Sequence, residues 1–151
     1  MAHRRVDVDE IIGDEDQYED DVVQYSVADL ENISNVKTQD VRNYLQRGDF
    51  VNALARALDQ PCYGGAEVEP LKNIAMQNIF QVLSSIRPTD IPQIVGLLNS
   101  QQIDTLVKYI YKGLASPAVF NSNILLSWHE KVIELSGPGS IARCLTDRRL
   151  V

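Results

Sequence analysis

His129 and Glu130 are the first residues to weigh as chemistry, because a histidine oriented by a carboxylate is the pairing that general acid–base catalysis uses. Consecutive positions on a helix point about 100° apart, so these two side chains do not face each other. The other histidine, His3, lies at the opposite end of the sequence. His129 is therefore expected in a structural or partner-contact role. Cys62 and Cys144 have no CxxC spacing and no histidine cluster beside them, which is too few ligands for a structural zinc site, and each reads as a small packing residue. Gly137 and Gly139 flank Pro138 in a turn between helices, where a phosphate-binding loop would need a strand before it. No catalytic group, metal site or cofactor is expected.

Other short motifs carry bland readings that explain them better. Arg47, Gly48 and Asp49 spell a cell-adhesion tripeptide, but Gly48 suits the left-handed end of one helix and Asp49 the start of the next. Asn32 to Ser34 fits a glycosylation acceptor, which carries no weight without a secretory signal. Lys108, Tyr109, Ile110, Tyr111 and Lys112 are more distinctive. At helical spacing Ile110 and Tyr111 continue a buried stripe while Lys108, Tyr109 and Lys112 fall toward its flank, and both core packing and partner contact fit the tyrosines. Arg143, Arg148 and Arg149 read as a solvated basic end or as a docking handle for carboxylates.

The charge is divided unevenly. Residues 1 to 31 hold eleven acids against Arg4 and Arg5, for −9, and the remainder holds twelve basic and ten acidic residues, for +2. A nearly neutral body behind a polyacid has no electrostatic basis for gripping a phosphate backbone, which excludes nucleic acid as a partner. No apolar run approaches the roughly 20 residues that span a bilayer, and the acidic start lacks the basic, then apolar, character of a signal peptide. A cytosolic chain with no membrane partner is the expectation.

Such chemistry as the sequence has must be positioned by helices. From Met1 to about Val36 apolar residues are isolated among repelling charges, so residues 1–36 are expected to form an acidic arm, disordered alone and extended when bound. Residues 37–151 are expected to form an all-α domain of about seven helices. Val41, Tyr44 and Leu45 make one stripe, and Phe50, Ala53, Leu54, Ala57 and Leu58 the next. Pro70 opens a helix bearing Leu71, Ile74, Ala75, Ile79, Val82, Leu83 and Ile86, and Thr89, Asp90 and Pro92 open a fourth that runs to about Asn99. Ser100 is expected to cap a fifth helix, closed by Gly113 and Pro117. Asn121 to Ser136 makes a sixth, with Leu135 in its stripe, and Ile141 and Leu145 lie on a short seventh. Short loops favour antiparallel hairpins, stacked as in an α-α superhelix, with the sixth and seventh helices packed on the fifth.

Five stretches, in this order, are similar to one family: VDVDE (6–10), LQRGDFVNALARAL (45–58), KYIYKG (108–113), LLSWHEK (125–131) and GSIARCLTDRRLV (139–151). Together they resemble subunit 5 of the actin-related protein 2/3 complex, the assembly that nucleates branched actin filaments. The resemblance implies a small helical subunit with no active site and no nucleotide, found in the cytoplasm and cytoskeleton and touching filaments only indirectly. It also implies a body packed on the subunit 4 scaffold near the propeller subunit 1, with an arm reaching an actin-related protein. By the same resemblance Val6, Asp7, Val8 and Asp9 match the arm's contact motif, and Tyr109, Tyr111, Lys112, Trp128, His129, Ser140, Ile141 and Arg143 match the helical signature and are expected at or near partner interfaces. The rival expectation is a free-standing helical-repeat adaptor that binds peptide segments of its partners.

Overall fold

A computed structural model describes residues 26–151, so Val6, Asp7, Val8 and Asp9 lie outside the described residues. The described residues form seven α-helices and one short 3-10 turn, with no strand among them. No helix among them is long and apolar enough to cross a membrane.

The first helix, α1 (Val27–Gln46), begins ten residues before the expected edge of the helical domain. Ser26 caps it, its hydroxyl accepting from the amide of Asp29 at 3.2 Å, and Asp29 adds a favourable negative charge to the first turn. Leu30 packs with Cys62, Val68 and Leu71, and Ser34, Lys37 and Val41 are buried further along. The buried face thus recurs at helical spacing but carries a serine and a lysine, which hides it from a search for apolar residues. Lys37 is accommodated because its ammonium donates to the carbonyl of Gln60 at 3.2 Å. Gln60 presents that carbonyl from a left-handed conformation, φ +44°.

Gly48 ends α1 at φ +73°, and Asp49 then accepts from the amide of Asn52 to start α2 (Phe50–Leu58). The Arg-Gly-Asp tripeptide is a helix end followed by a helix start. Pro70 lies in the first turn of α3 (Glu69–Ser85) as expected, and the 3-10 turn (Ala66–Val68) leads into it. The fourth helix, α4 (Ile91–Val95), is shorter than expected: Gly96 ends it four residues after Pro92.

Asn99, rather than Ser100, caps α5 (Ser100–Leu114). Asn99 and Gln102 satisfy each other's amides, at 2.8 and 3.0 Å, in a capping box. Gly113 does not end α5 but lies inside it, where a Cβ would come within 2.6 Å of Met76 Cε and 2.7 Å of Leu125 Cδ1. Its missing side chain is what lets three helices approach. Asn121 caps α6 (Ser122–Ser136), Gly137 ends it at φ +75°, and α7 (Gly139–Thr146) follows.

Helices α1, α2 and α3 pack on one another, and α6 and α7 both pack on α5, as expected; α2 and α3 join the two groups by contacts with α5. A single main cluster runs through both groups, from Val41 and Leu54 through Ile79 and Leu83 to Ile110, Leu125 and Val132. This shared core makes the described residues one body rather than separable repeats.

Candidate interface

Helix α5 positions Tyr109, Tyr111 and Lys112, α6 positions Trp128 and His129, and α7 positions Ser140, Ile141 and Arg143. Tyr109 and Ile110 point into the core, whereas Lys108, Tyr111 and Lys112 lie along its edge. Along that edge runs the segment after α7, residues 147 to 151. Lys108 pairs with the Asp147 carboxylate and donates to the carbonyl of Arg149 at 3.2 Å. Lys112 donates to the carbonyl of Val151 at 2.8 Å and reaches Glu69 of α3 at 3.7 Å. Arg149 pairs with Asp147 and lies over the Tyr63 ring, 5.0 Å from its centre, with Lys108 at 5.2 Å from the same ring. Val151 enters the main core. The Arg149 hydrogen bonds, with Lys108 in support, hold the Asp147 carboxyl well below the usual carboxylate range despite its burial. The basic end is therefore a clasp closed on α5 rather than a loose solvated end.

The remaining expected interface residues divide in two. Tyr109, Trp128 and Ser140 are enclosed by the chain's own core, Trp128 being 1% exposed, and so have no surface to give a partner. For Tyr109 this corrects the expected placement on the flank of the stripe, and of the two readings that fitted it the side chain takes the core-packing one. Ser140 donates to the Gly137 carbonyl at 2.9 Å and so stiffens the α6–α7 turn. Tyr111, Lys112, His129 and Ile141 are half-buried, and Arg143 is exposed. Tyr111 and His129 meet through a 2.9 Å hydrogen bond with their rings edge to face, which joins α5 to α6 and gives His129 a structural partner. Arg143 grips Asp104 with two bonds of 2.8 and 2.9 Å and joins α7 to α5.

Among the described residues, exposed apolar surface is concentrated beyond residue 96. Of the seven large aliphatic side chains more than half exposed among the described residues, six lie beyond residue 96: Leu97, Val119, Leu126, Leu135, Leu145 and Leu150. Leu135 was expected in the stripe of its helix, yet it faces outward, as does Leu145 at 76% exposure. Among the described residues no group of three or more metal-ligating side chains comes together.

A protein-family model described as "ARP2/3 complex 16 kDa subunit (p16-Arc)" matches residues 2–151. The chain belongs to this family. Among its relatives, the actin-related protein 2/3 complex subunit 5-B of Xenopus laevis is 35% identical over 149 residues, covering 98% of this chain and 93% of the relative. The subunit 5-like protein of Homo sapiens is also 35% identical, with 98% and 94% covered. A probable subunit 5 of Caenorhabditis elegans is 37% identical over 113 residues, covering 74% of this chain and 76% of the relative.

For this member of the family, the clasp is the feature that motif reading missed. Lys108 and Asp147 are 39 positions apart, and no local spacing links them. The one available signal was the pair of lysines on one edge of α5 and the mixed charges of residues 147 to 149, which only the fold brings into contact.

Proposed function

We propose that this chain is a non-catalytic structural subunit of the actin-related protein 2/3 complex, holding an actin-related protein through its N-terminal segment and so supporting the nucleation of branched filaments. Its body would sit on the subunit 4 scaffold near the propeller subunit 1, in the cytoplasm and its cytoskeleton. The observation that carries the reading is the segregation of charge, −9 over residues 1 to 31 against +2 over the rest. A polyacidic tether raises the local concentration of its partner and keeps hold while that partner changes position, without needing one tight contact. Val6, Asp7, Val8 and Asp9 suit such a contact, because in an extended segment the valines fall on one side and the aspartates on the other. The exposed leucines beyond residue 96 supply the body with apolar surface to bury against its neighbours.

The test compares reconstituted complexes carrying the full chain or a chain lacking residues 1 to 20. The shortened chain is expected to fold and co-assemble but to nucleate branches more slowly; undiminished branch nucleation refutes the tether. Replacing Val6 and Val8 by Ser is expected to reproduce part of the loss.

A further inference from the structure

Between α3, α5 and the clasp lies a cavity of about 370 Å³ whose walls mix carbon and positive charge. Tyr111, Cys144, Leu150 and Val151 supply its apolar wall, and Lys72, Lys108, Lys112 and Arg149 bring four cations to it against the carboxylates of Glu69 and Asp147. Three of those cations have work elsewhere. Lys108 and Arg149 share Asp147, and Lys112 holds Glu69 and the Val151 carbonyl. Lys72 is different: it is only 5% exposed, lines the cavity, and makes no hydrogen bond or ion pair with any described residue. Its stem is buried while its ammonium, with no acceptor from the described residues, opens on the cavity, where an anionic group would find a donor that no other carboxylate shares.

We infer that this cavity is a binding site for an acidic peptide segment of a partner protein, with one carboxylate seated on Lys72 and a neighbouring aliphatic side chain laid against Leu150 and Tyr111. The ammonium of a lysine is a compact point charge with three donors, which a carboxylate satisfies. The volume lies at the small end of ligand pockets, enough for a side chain or two and too little for a lipid headgroup with its acyl chain. Leu150, 75% exposed at the mouth, gives the incoming segment an apolar contact that an inorganic anion would not use. Lys112 adds its charge to this field, and its pKa is lowered by burial and, to a lesser degree, by the neighbouring charge of Lys72, with Glu69 opposing. The site stands on these residues alone and does not depend on the N-terminal tether.

The probe is a fluorescein-labelled peptide of alternating Glu and Leu, titrated by anisotropy into the full chain. A Glu–Ser peptide of equal charge, a Lys–Leu peptide and phosphatidylserine vesicles serve as comparisons. The Glu–Leu peptide is expected to bind best, and Lys72→Met, which keeps the stem and removes the charge, is expected to raise its Kd at least tenfold without lowering the thermal midpoint. In the wild-type protein, whether free or assembled, amine acetylation read by mass spectrometry is expected to show Lys72 protected by the peptide and Lys131, which lies away from the cavity, unprotected. An unchanged Kd in Lys72→Met overturns the inference, as does equal binding of the Glu–Ser peptide, preferential binding of vesicles, unaltered acetylation of Lys72, or no binding of the Glu–Leu peptide at all.

Discussion

Trp128 of α6 donates its indole N–H to the carbonyl of Leu83 in the last turn of α3, at 3.2 Å. That carbonyl is one of the four at a helix end that have no partner within the helix, so one side chain both fills the core and completes a neighbouring helix. Trp128→Phe should therefore cost more than its change in volume suggests. About 1–3 kcal/mol is expected for the carbonyl left unpaired, in addition to the loss of buried ring. Urea denaturation of the two proteins, compared at equal slope, measures it. A loss under about 0.5 kcal/mol would mean that the bond contributes nothing net.

Tyr109, one helix away, presents the opposite case. Its ring is fully buried, and its hydroxyl has no hydrogen-bond partner among the described residues. Burial pushes its pKa above the ordinary tyrosine value, so the phenol stays neutral throughout the useful pH range. Tyr109→Phe removes only an unsatisfied oxygen and should leave the protein equally stable or more stable by about 1 kcal/mol. Tyr111→Phe breaks the bond to His129 and should cost about 0.5–1.5 kcal/mol. The opposite effects of two tyrosines two positions apart can be read in a single thermal-melt experiment.

The fold was legible wherever local chemistry marks an element. Gly48 with Asp49, Pro70, Pro92, Asn121 and Gly137 punctuate the helices where backbone preferences require. It was illegible where an apolar position carries a polar residue. Ser34 and Lys37 interrupt the buried face of α1, so residues 27–36 resembled the acidic segment before them. It was also illegible where an internal glycine looks like a terminator, as Gly113 does, since close approach between helices has no local signature. The candidate interface was less legible still. Helical spacing cannot tell whether the outer edge of a stripe is covered, and so Leu135 was expected inside and Tyr109 outside.

Gly113 makes a sharp test of that close approach. Alanine is normally favoured over glycine inside a helix by about 1 kcal/mol. At this position the added methyl would overlap Met76 and Leu125. Gly113→Ala is expected to destabilise by about 1–3 kcal/mol, reversing the usual sign, because a packed core cannot give way without off-rotamer side chains. Equilibrium unfolding decides it, and a gain in stability would show that the two side chains move aside freely.

Removing Asp147 should open the clasp without unfolding the helices. Asp147 receives Lys108 and the Arg149 guanidinium, and it accepts the backbone amide of Arg149 at 2.9 Å. In Asp147→Asn these charged partners lose their common anchor. Hydrogen exchange at the Arg149 amide is expected to accelerate at least tenfold, while amides in α3 and α6 keep their protection. Because the folded Asp147 pKa is depressed, its contribution is present above the ordinary carboxylate range and fades only as pH falls well below it. The same amide in the wild type should therefore stay protected at pH 5.

Lys37 allows a pH test of a buried charge. Desolvation lowers its pKa from 10.5 to about 8, against weaker opposing effects of Cys62 and Asp59. Below pH 8 the folded protein must keep an ammonium in its interior, a burden the unfolded chain does not share. Between about 8 and 10.5 the folded state has released the proton that the unfolded state still holds, so stability attributable to this side chain rises with pH across that window. Lys37→Met removes the titration and keeps most of the buried stem, at the expense of the bond to the Gln60 carbonyl, which water can replace at that exposed residue. The variant is expected to be more stable at pH 7 by about 1–3 kcal/mol, and its advantage should shrink steadily toward pH 10.5. Denaturation curves at pH 7, 8.5 and 10 compare the two proteins directly; a constant difference across those three points would show that Lys37 does not titrate in the window, and that the Gln60 carbonyl stabilises its charge far more than burial opposes it.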